Sequence, residues 1–124
     1  MTFNKDIEIF KKIIDDLDCD LIESKINHIA KLIIKVSKSN QTTAIFGNGG
    51  SASDSNHFAG ELTCTFSDKN HTAINAISLV SNPSVISAWA NDVDFEFVFS
   101  RQIEALKHAL GLAIGLSTSG KSKN

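Results

Sequence analysis

The chain has 124 residues, 42% of them hydrophobic, and a formal net charge of -2, which leaves room for one domain with one modest core. Its single arginine, Arg101, provides no basic stripe for neutralising a phosphodiester backbone, which excludes DNA and RNA as expected ligands. No apolar run reaches the length of a membrane span and the first residues are too polar for a secretory signal, so a cytoplasmic protein away from membranes is expected. The two cysteines, Cys19 and Cys64, have no CxxC spacing and fall at an expected helix boundary and helix end, as free thiols do.

In chain order, Phe3, Ile7, Phe10, Ile14 and Leu17 recur in alternating steps of four and three, the stripe of an amphipathic helix. Ile22, Ile26, Ile29, Ile33 and Val36 repeat the stripe in a second helix, with Asp20 as its expected cap and Glu23 at the capping-box position. Residues 1–38 therefore read as a helical hairpin ahead of an α/β core at 42–124. Its stripes either pack against another subunit or cover the chain's own sheet, and the many isoleucines favour the subunit.

Beyond the polar break at 37–41, short apolar runs alternate with helical stretches. Strands are expected at 43–46, 73–79 and 112–116, and helices at 51–66, 84–90 and 95–108, with Pro83 in the first turn of a helix. Strand-helix alternation predicts a parallel sheet flanked by helices, with ligands outside the carboxyl ends of its strands. Three parallel strands with an open edge make an incomplete domain.

The first strand runs into Gly47-Asn48-Gly49-Gly50-Ser51, where glycines bare the backbone and Ser51 can cap the next helix. Such a junction presents N–H groups to a phosphate. The third strand leads into Ser117-Thr118-Ser119-Gly120-Lys121-Ser122, rich in hydroxyls that donate to phosphate oxygens; if the first and third strands are neighbours, both loops meet. On the intervening helix His57 and Glu61 share one face. Alone, such a pair is a surface ion pair or hydrogen bond; beside a phosphate cradle it reads as a metal or acid/base pair acting on a phosphorylated small molecule.

These motifs, with His57-Phe58-Ala59-Gly60-Glu61-Leu62-Thr63, Ala90-Asn91-Asp92 and Phe99-Ser100-Arg101-Gln102 in the same order, resemble the phosphoheptose isomerases of the SIS (sugar isomerase) superfamily. The resemblance covers the whole chain, while the chain covers about two-thirds of such a domain, so a partial SIS domain with a flavodoxin-like sheet is expected. It implies that Asn48, Gly49, Gly50, Ser51, Ser117, Thr118, Ser119 and Ser122 hold a sugar phosphate, and that Asn91 and Asp92 meet the sugar hydroxyls. It further implies an aldose-ketose isomerase that turns sedoheptulose 7-phosphate into D-glycero-D-manno-heptose 7-phosphate, for lipopolysaccharide or another surface glycan.

By the same resemblance Glu61 is the catalytic base and, with His57, a zinc ligand, in a homotetramer whose active sites lie at subunit interfaces. The family's further ligands, a glutamine and a histidine on C-terminal helices, lie past Asn124, and His28, His71 and His108 do not match their positions. Residues 109–112 stand where relatives show a Gly-Asp turn. Two other readings stay open: a non-catalytic SIS module that binds a sugar phosphate or a protein partner, and an inactive truncated isomerase copy. Glu61 favours the enzyme over the module, and the missing C-terminal third favours the truncated copy for these residues alone.

Overall fold

The structure, a computed structural model, describes residues 2–64 and 69–124. It divides into two units, one up to Leu32 and one at Ile33–Asn124. The first holds α1 (Phe3–Asp15) and the start of α2 (Cys19–Lys38). Asp18, not Asp20, caps α2: its Oδ1 accepts from the Leu21 N–H at 2.9 Å, while Asp20 lies inside the first turn. Every residue from 2 to 31 is exposed, so Phe3, Phe10, Ile14 and Ile26 leave the stripe open to solvent.

The second unit is an α/β layer with β1 (Thr42–Gly47), α3 (Gly50–Thr63), β2 (Ala76–Ser78), α4 (Pro83–Asp92), a 3-10 turn (Phe95–Phe97), α5 (Val98–Ala105) and β3 (Leu110–Leu116). Its sheet is parallel in the order β2-β1-β3, so β1 is central and adjacent to β3. Right-handed crossovers, the rule for parallel strands, put α3 on one face and α4 with α5 on the other. Alternation along β1 follows: Ala44 joins Leu79, Val98 and Phe99 in one core cluster, with the Phe46 ring tilted by 35° against that of Phe99 at 4.8 Å between centroids. Thr43 and Ile45, both fully buried, point to the opposite face, where α3 buries only the small Ser55 and Ala59 and so can lie close to the sheet. Burying Ile45 alone contributes about 2 kcal/mol.

The element boundaries depart from the periodicity for local reasons. Strand β2 is shorter than 73–79 because the chain before it attaches to the end of α3: Ile74 N–H donates to the Leu62 carbonyl at 3.0 Å. Asn82 Oδ1 accepts from the Ser84 and Val85 N–H groups, so α4 starts at Pro83 and extends two residues past the expected end. The helix expected at 95–108 is divided, since Asp94 caps a 3-10 turn through Glu96 N–H at 2.8 Å before α5 begins, and α5 ends at Ala105. Strand β3 starts two residues early, at Leu110, with a register shift that leaves Gly111 unpaired. A Cβ there would stand 2.7 Å from Val36 Cγ1 and 2.8 Å from Gln41 Cβ, so the bulge needs glycine. Helix α3 ends at Thr63 with Cys64 as its C-cap; the expected continuation to 66 lies outside the described residues. Cys19 and Cys64 are both free and exposed.

Candidate functional site

The site begins where β1 gives way to α3. Gly47 closes the strand against the helix and β3: a Cβ would meet Ser51 Cβ at 2.7 Å, the Ser51 carbonyl oxygen at 2.8 Å and that of Leu116 at 2.9 Å. Gly49, at φ 56°, turns the chain into α3 through a conformation that L side chains rarely adopt. Ser51, expected as the cap of α3, does not cap it. Gly49 is the N-cap, no side chain caps the helix, and Ser51 lies inside the first turn, where its carbonyl accepts the Ser55 hydroxyl at 2.6 Å. A glycine cap leaves the N–H groups of the first turn without a side-chain acceptor and lets a ligand reach the backbone.

The hydroxyl loop follows β3, so the β1–β3 pairing carries both loops to the same end of the sheet. Ser117 Oγ accepts from Gly120 N–H at 2.9 Å and Ser119 Oγ from Lys121 N–H at 3.2 Å; Gly120 has φ 64°. Each hydroxyl is thereby fixed as an acceptor from the backbone and keeps its own proton for a ligand oxygen. Ser117, Thr118, Ser119 and Ser122 are exposed. A cavity of about 130 Å³ between the loops is lined by Asn48, Ser117, Gly120, Ser122 and Asn124 among others. A neighbouring cavity of about 430 Å³ shares Asn48, Ser122 and Asn124 and adds Asp94, Glu96 and Lys123. Asn48 and Asn124, 76 residues apart, join side chain to side chain: each Nδ2 donates to the other's Oδ1, at 2.8 and 3.0 Å.

The remaining expected site residues do not line these two cavities. Asn91 donates to the Asp92 carboxylate at 2.9 Å at the exposed end of α4, and neither lines the two cavities just described. His57 and Glu61 line a separate cavity of about 480 Å³ with Asp54, Phe58 and Leu62. At 1.5 Å of rise per residue, Glu61 stands roughly 16 Å along the α3 axis from Gly50. His57 Nε2 is 3.7 Å from Glu61 Oε1, with the histidine 78% exposed and the glutamate 29%. Glu61 Oε2 is buried and has no hydrogen-bond partner, the one carboxylate oxygen so placed among the described residues. Leaving such an acceptor unmatched is costly, which marks it as a place that a hydrogen-bond donor or ligand would complete.

This donor set is too small for zinc. Among the described residues no three His, Cys, Asp or Glu side chains cluster as a metal site, and two donors on one helix do not close the tetrahedral shell that zinc takes. The residues present do not form a zinc centre by themselves. His28 lies on α2, His71 bonds its ring to the Thr72 carbonyl, and His108 is exposed in the turn after α5. Asn124, Asp94 and Glu96 were not legible as site residues, because only the fold brings them to the strand ends.

A family model described as the SIS domain matches residues 8–124. The chain belongs to the SIS domain family. Within it, the chain is 43% identical over 105 residues to phosphoheptose isomerase 1 of Campylobacter jejuni, covering 85% of this chain and 56% of that protein. It is 47% identical over 100 residues to a probable phosphoheptose isomerase of Thermoplasma acidophilum, covering 81% and 54%. Among solved structures, the phosphoheptose isomerase of Francisella tularensis superposes with a TM-score of 0.80 at 25% identity, over all of this chain and 66% of that one. That of Neisseria gonorrhoeae gives 0.73 at 31% identity, over 98% and 60%. The chain thus spans little more than half the length of these curated relatives, and its fold is that of the two solved phosphoheptose isomerase structures. Among the described residues no helix is long and apolar enough to cross a membrane.

Proposed function

We propose that this chain is the sugar-phosphate-binding part of a phosphoheptose isomerase, which converts sedoheptulose 7-phosphate to D-glycero-D-manno-heptose 7-phosphate for a surface glycan. The observation that carries the reading is the meeting of two phosphate-suited loops at the carboxyl ends of adjacent parallel strands, in a chain similar to phosphoheptose isomerases over most of its length. The first-turn N–H groups of α3 and the Ser117, Thr118, Ser119 and Ser122 hydroxyls grip the phosphate, and Gly49 and Gly50 let it approach the backbone. Glu61 takes a proton from C1 of the ketose. The C1–C2 enediolate forms, the proton is returned to C2, and the hydroxyl proton on O1 passes to O2, leaving the aldehyde at C1.

The separation of Glu61 from the loops along α3 supports an assembly in which these parts of one active site come from different copies of the chain. We take that assembly to be a homotetramer, held in part by the exposed stripes of α1 and α2. A zinc ion in it would need donors besides His57 and Glu61. The same separation favours, for these residues taken alone, a second reading in which sugar phosphate is bound but not turned over.

The deciding experiment is sedoheptulose 7-phosphate isomerisation by the protein from its native source, with its intact mass measured on the same preparation, alongside Glu61→Gln. Expected is turnover by the native protein and none by the variant, with phosphate affinity nearly unchanged. Full turnover by Glu61→Gln would remove the glutamate from the chemistry. A 13.4 kDa protein that binds but does not convert the sugar would favour the second reading.

A further inference from the structure

We propose that Asn124 is a positioning residue: its reciprocal amide pair with Asn48 fixes the hydroxyl loop against the start of α3 and so sets the span across which a phosphate ester is gripped. The inference rests on the reading that these two loops hold a phosphate. Within the hydroxyl loop, the Ser117–Gly120 and Ser119–Lys121 hydrogen bonds shape the turn locally but do not tie it to β1 or α3. Among the described residues, the side-chain hydrogen bonds joining the two loops are those of the Asn48–Asn124 pair.

A two-bond ring between planar amides restrains distance and tilt together, which one hydrogen bond does not. Both residues line both cavities at the strand ends, and Asn124 is half-buried there although residues 117–123 are exposed. The pair leaves each amide with one donor hydrogen and one acceptor lone pair, so Asn48 can still offer a ligand a single N–H. Neutral amides suit the task because Asp94 and Glu96 already face the larger cavity, and a further carboxylate would repel an anion.

The test uses the full-length protein and two readouts: binding of inorganic phosphate by calorimetry, and steady-state kinetics with sedoheptulose 7-phosphate. Asn124→Ala is expected to raise KM and the phosphate Kd together by about fivefold, the worth of one hydrogen bond, with kcat little changed. Asn124→Asp, which keeps the shape but exchanges a donor for a negative acceptor, is expected to raise both by more than Asn124→Ala does. Asn48→Ala combined with Asn124→Ala is expected to add little to the larger single effect, because the pair acts as a unit.

Unchanged KM and Kd in Asn124→Ala and Asn124→Asp would overturn the inference. So would a fall in melting temperature with affinity intact, which would make the pair structural only. Wild-type protein that binds phosphate without isomerising, and loses affinity in Asn124→Ala, would keep this inference and sink the isomerase reading. Wild-type protein that isomerises the sugar with both variants unaffected would do the reverse.

Discussion

Replacing Gly47 by alanine tests the claim that the site depends on close approach of backbone at the β1–α3 junction. The added Cβ would lie 2.7 to 2.9 Å from Ser51 Cβ and from the carbonyl oxygens of Ser51 and Leu116. Optimal carbon contacts are about 3.5 to 4.0 Å, so the surroundings must open by the better part of an ångström. None of the three neighbours is the free end of a flexible side chain. Ser51 is in the first turn of α3, with its carbonyl engaged by Ser55, and Leu116 is paired with Gly47 in the sheet. Overpacking of this kind costs about 1–3 kcal/mol. Gly50→Ala is the internal control, since nothing lies within 4 Å of a Cβ at that position, which is the first residue of α3. Alanine there should be neutral or stabilising, by up to about 1 kcal/mol.

Urea unfolding of the full-length protein, followed by circular dichroism, measures both. With m of about 1–3 kcal/mol/M, the Gly47→Ala midpoint should fall by about 1 M while that of Gly50→Ala holds or rises. Gly47→Ala should also weaken phosphate binding, because relief of the clash moves the start of α3 away from the hydroxyl loop. Equal stability of Gly47→Ala and wild type, or shifts of the same sign in both variants, would refute the packing argument.

Asn82→Ala removes the acceptor shared by Ser84 and Val85 N–H and should cost about 1 kcal/mol in thermal or urea denaturation, with Asn82→Asp close to wild type. An unaltered Asn82→Ala midpoint would mean that water caps α4 equally well. Phe10 and Ile14, 61% and 50% exposed, carry the association proposed for α1. The pair Phe10→Asp and Ile14→Asp should shift the mass found by sedimentation toward a smaller species, and an unchanged mass would place the interface elsewhere.

Much of the α/β layer was legible because its signals are local. The apolar run around Ala44-Ile45-Phe46 could only be a short buried strand, Pro83 announced a helix start, and a hydroxyl-rich tail after an apolar run announced a loop. The misses are places where another element overrode local preference. Ser51 has the chemistry of a cap, yet the sharp turn at Gly49 starts the helix earlier. Asp18 displaced Asp20 at the start of α2, and attachment of Ile74 to the end of α3 shortened β2. The bulge at Gly111 was not legible either, since Val36 and Gln41, which leave no room for a Cβ there, lie some seventy residues away in the chain.

The sequence by itself determined the parallel α/β architecture, the chemical character of the two loops and the helical pairing of His57 with Glu61, because each is a matter of residue type and spacing along one short segment. Only the tertiary structure decided that β3 lies beside β1, that Asn124 closes onto Asn48 across 76 residues, and that Glu61 opens into a different cavity from the loops. Such relations arise from strand order, crossover direction and the rise of α3, which add up over whole elements and leave no mark on any single stretch of chain.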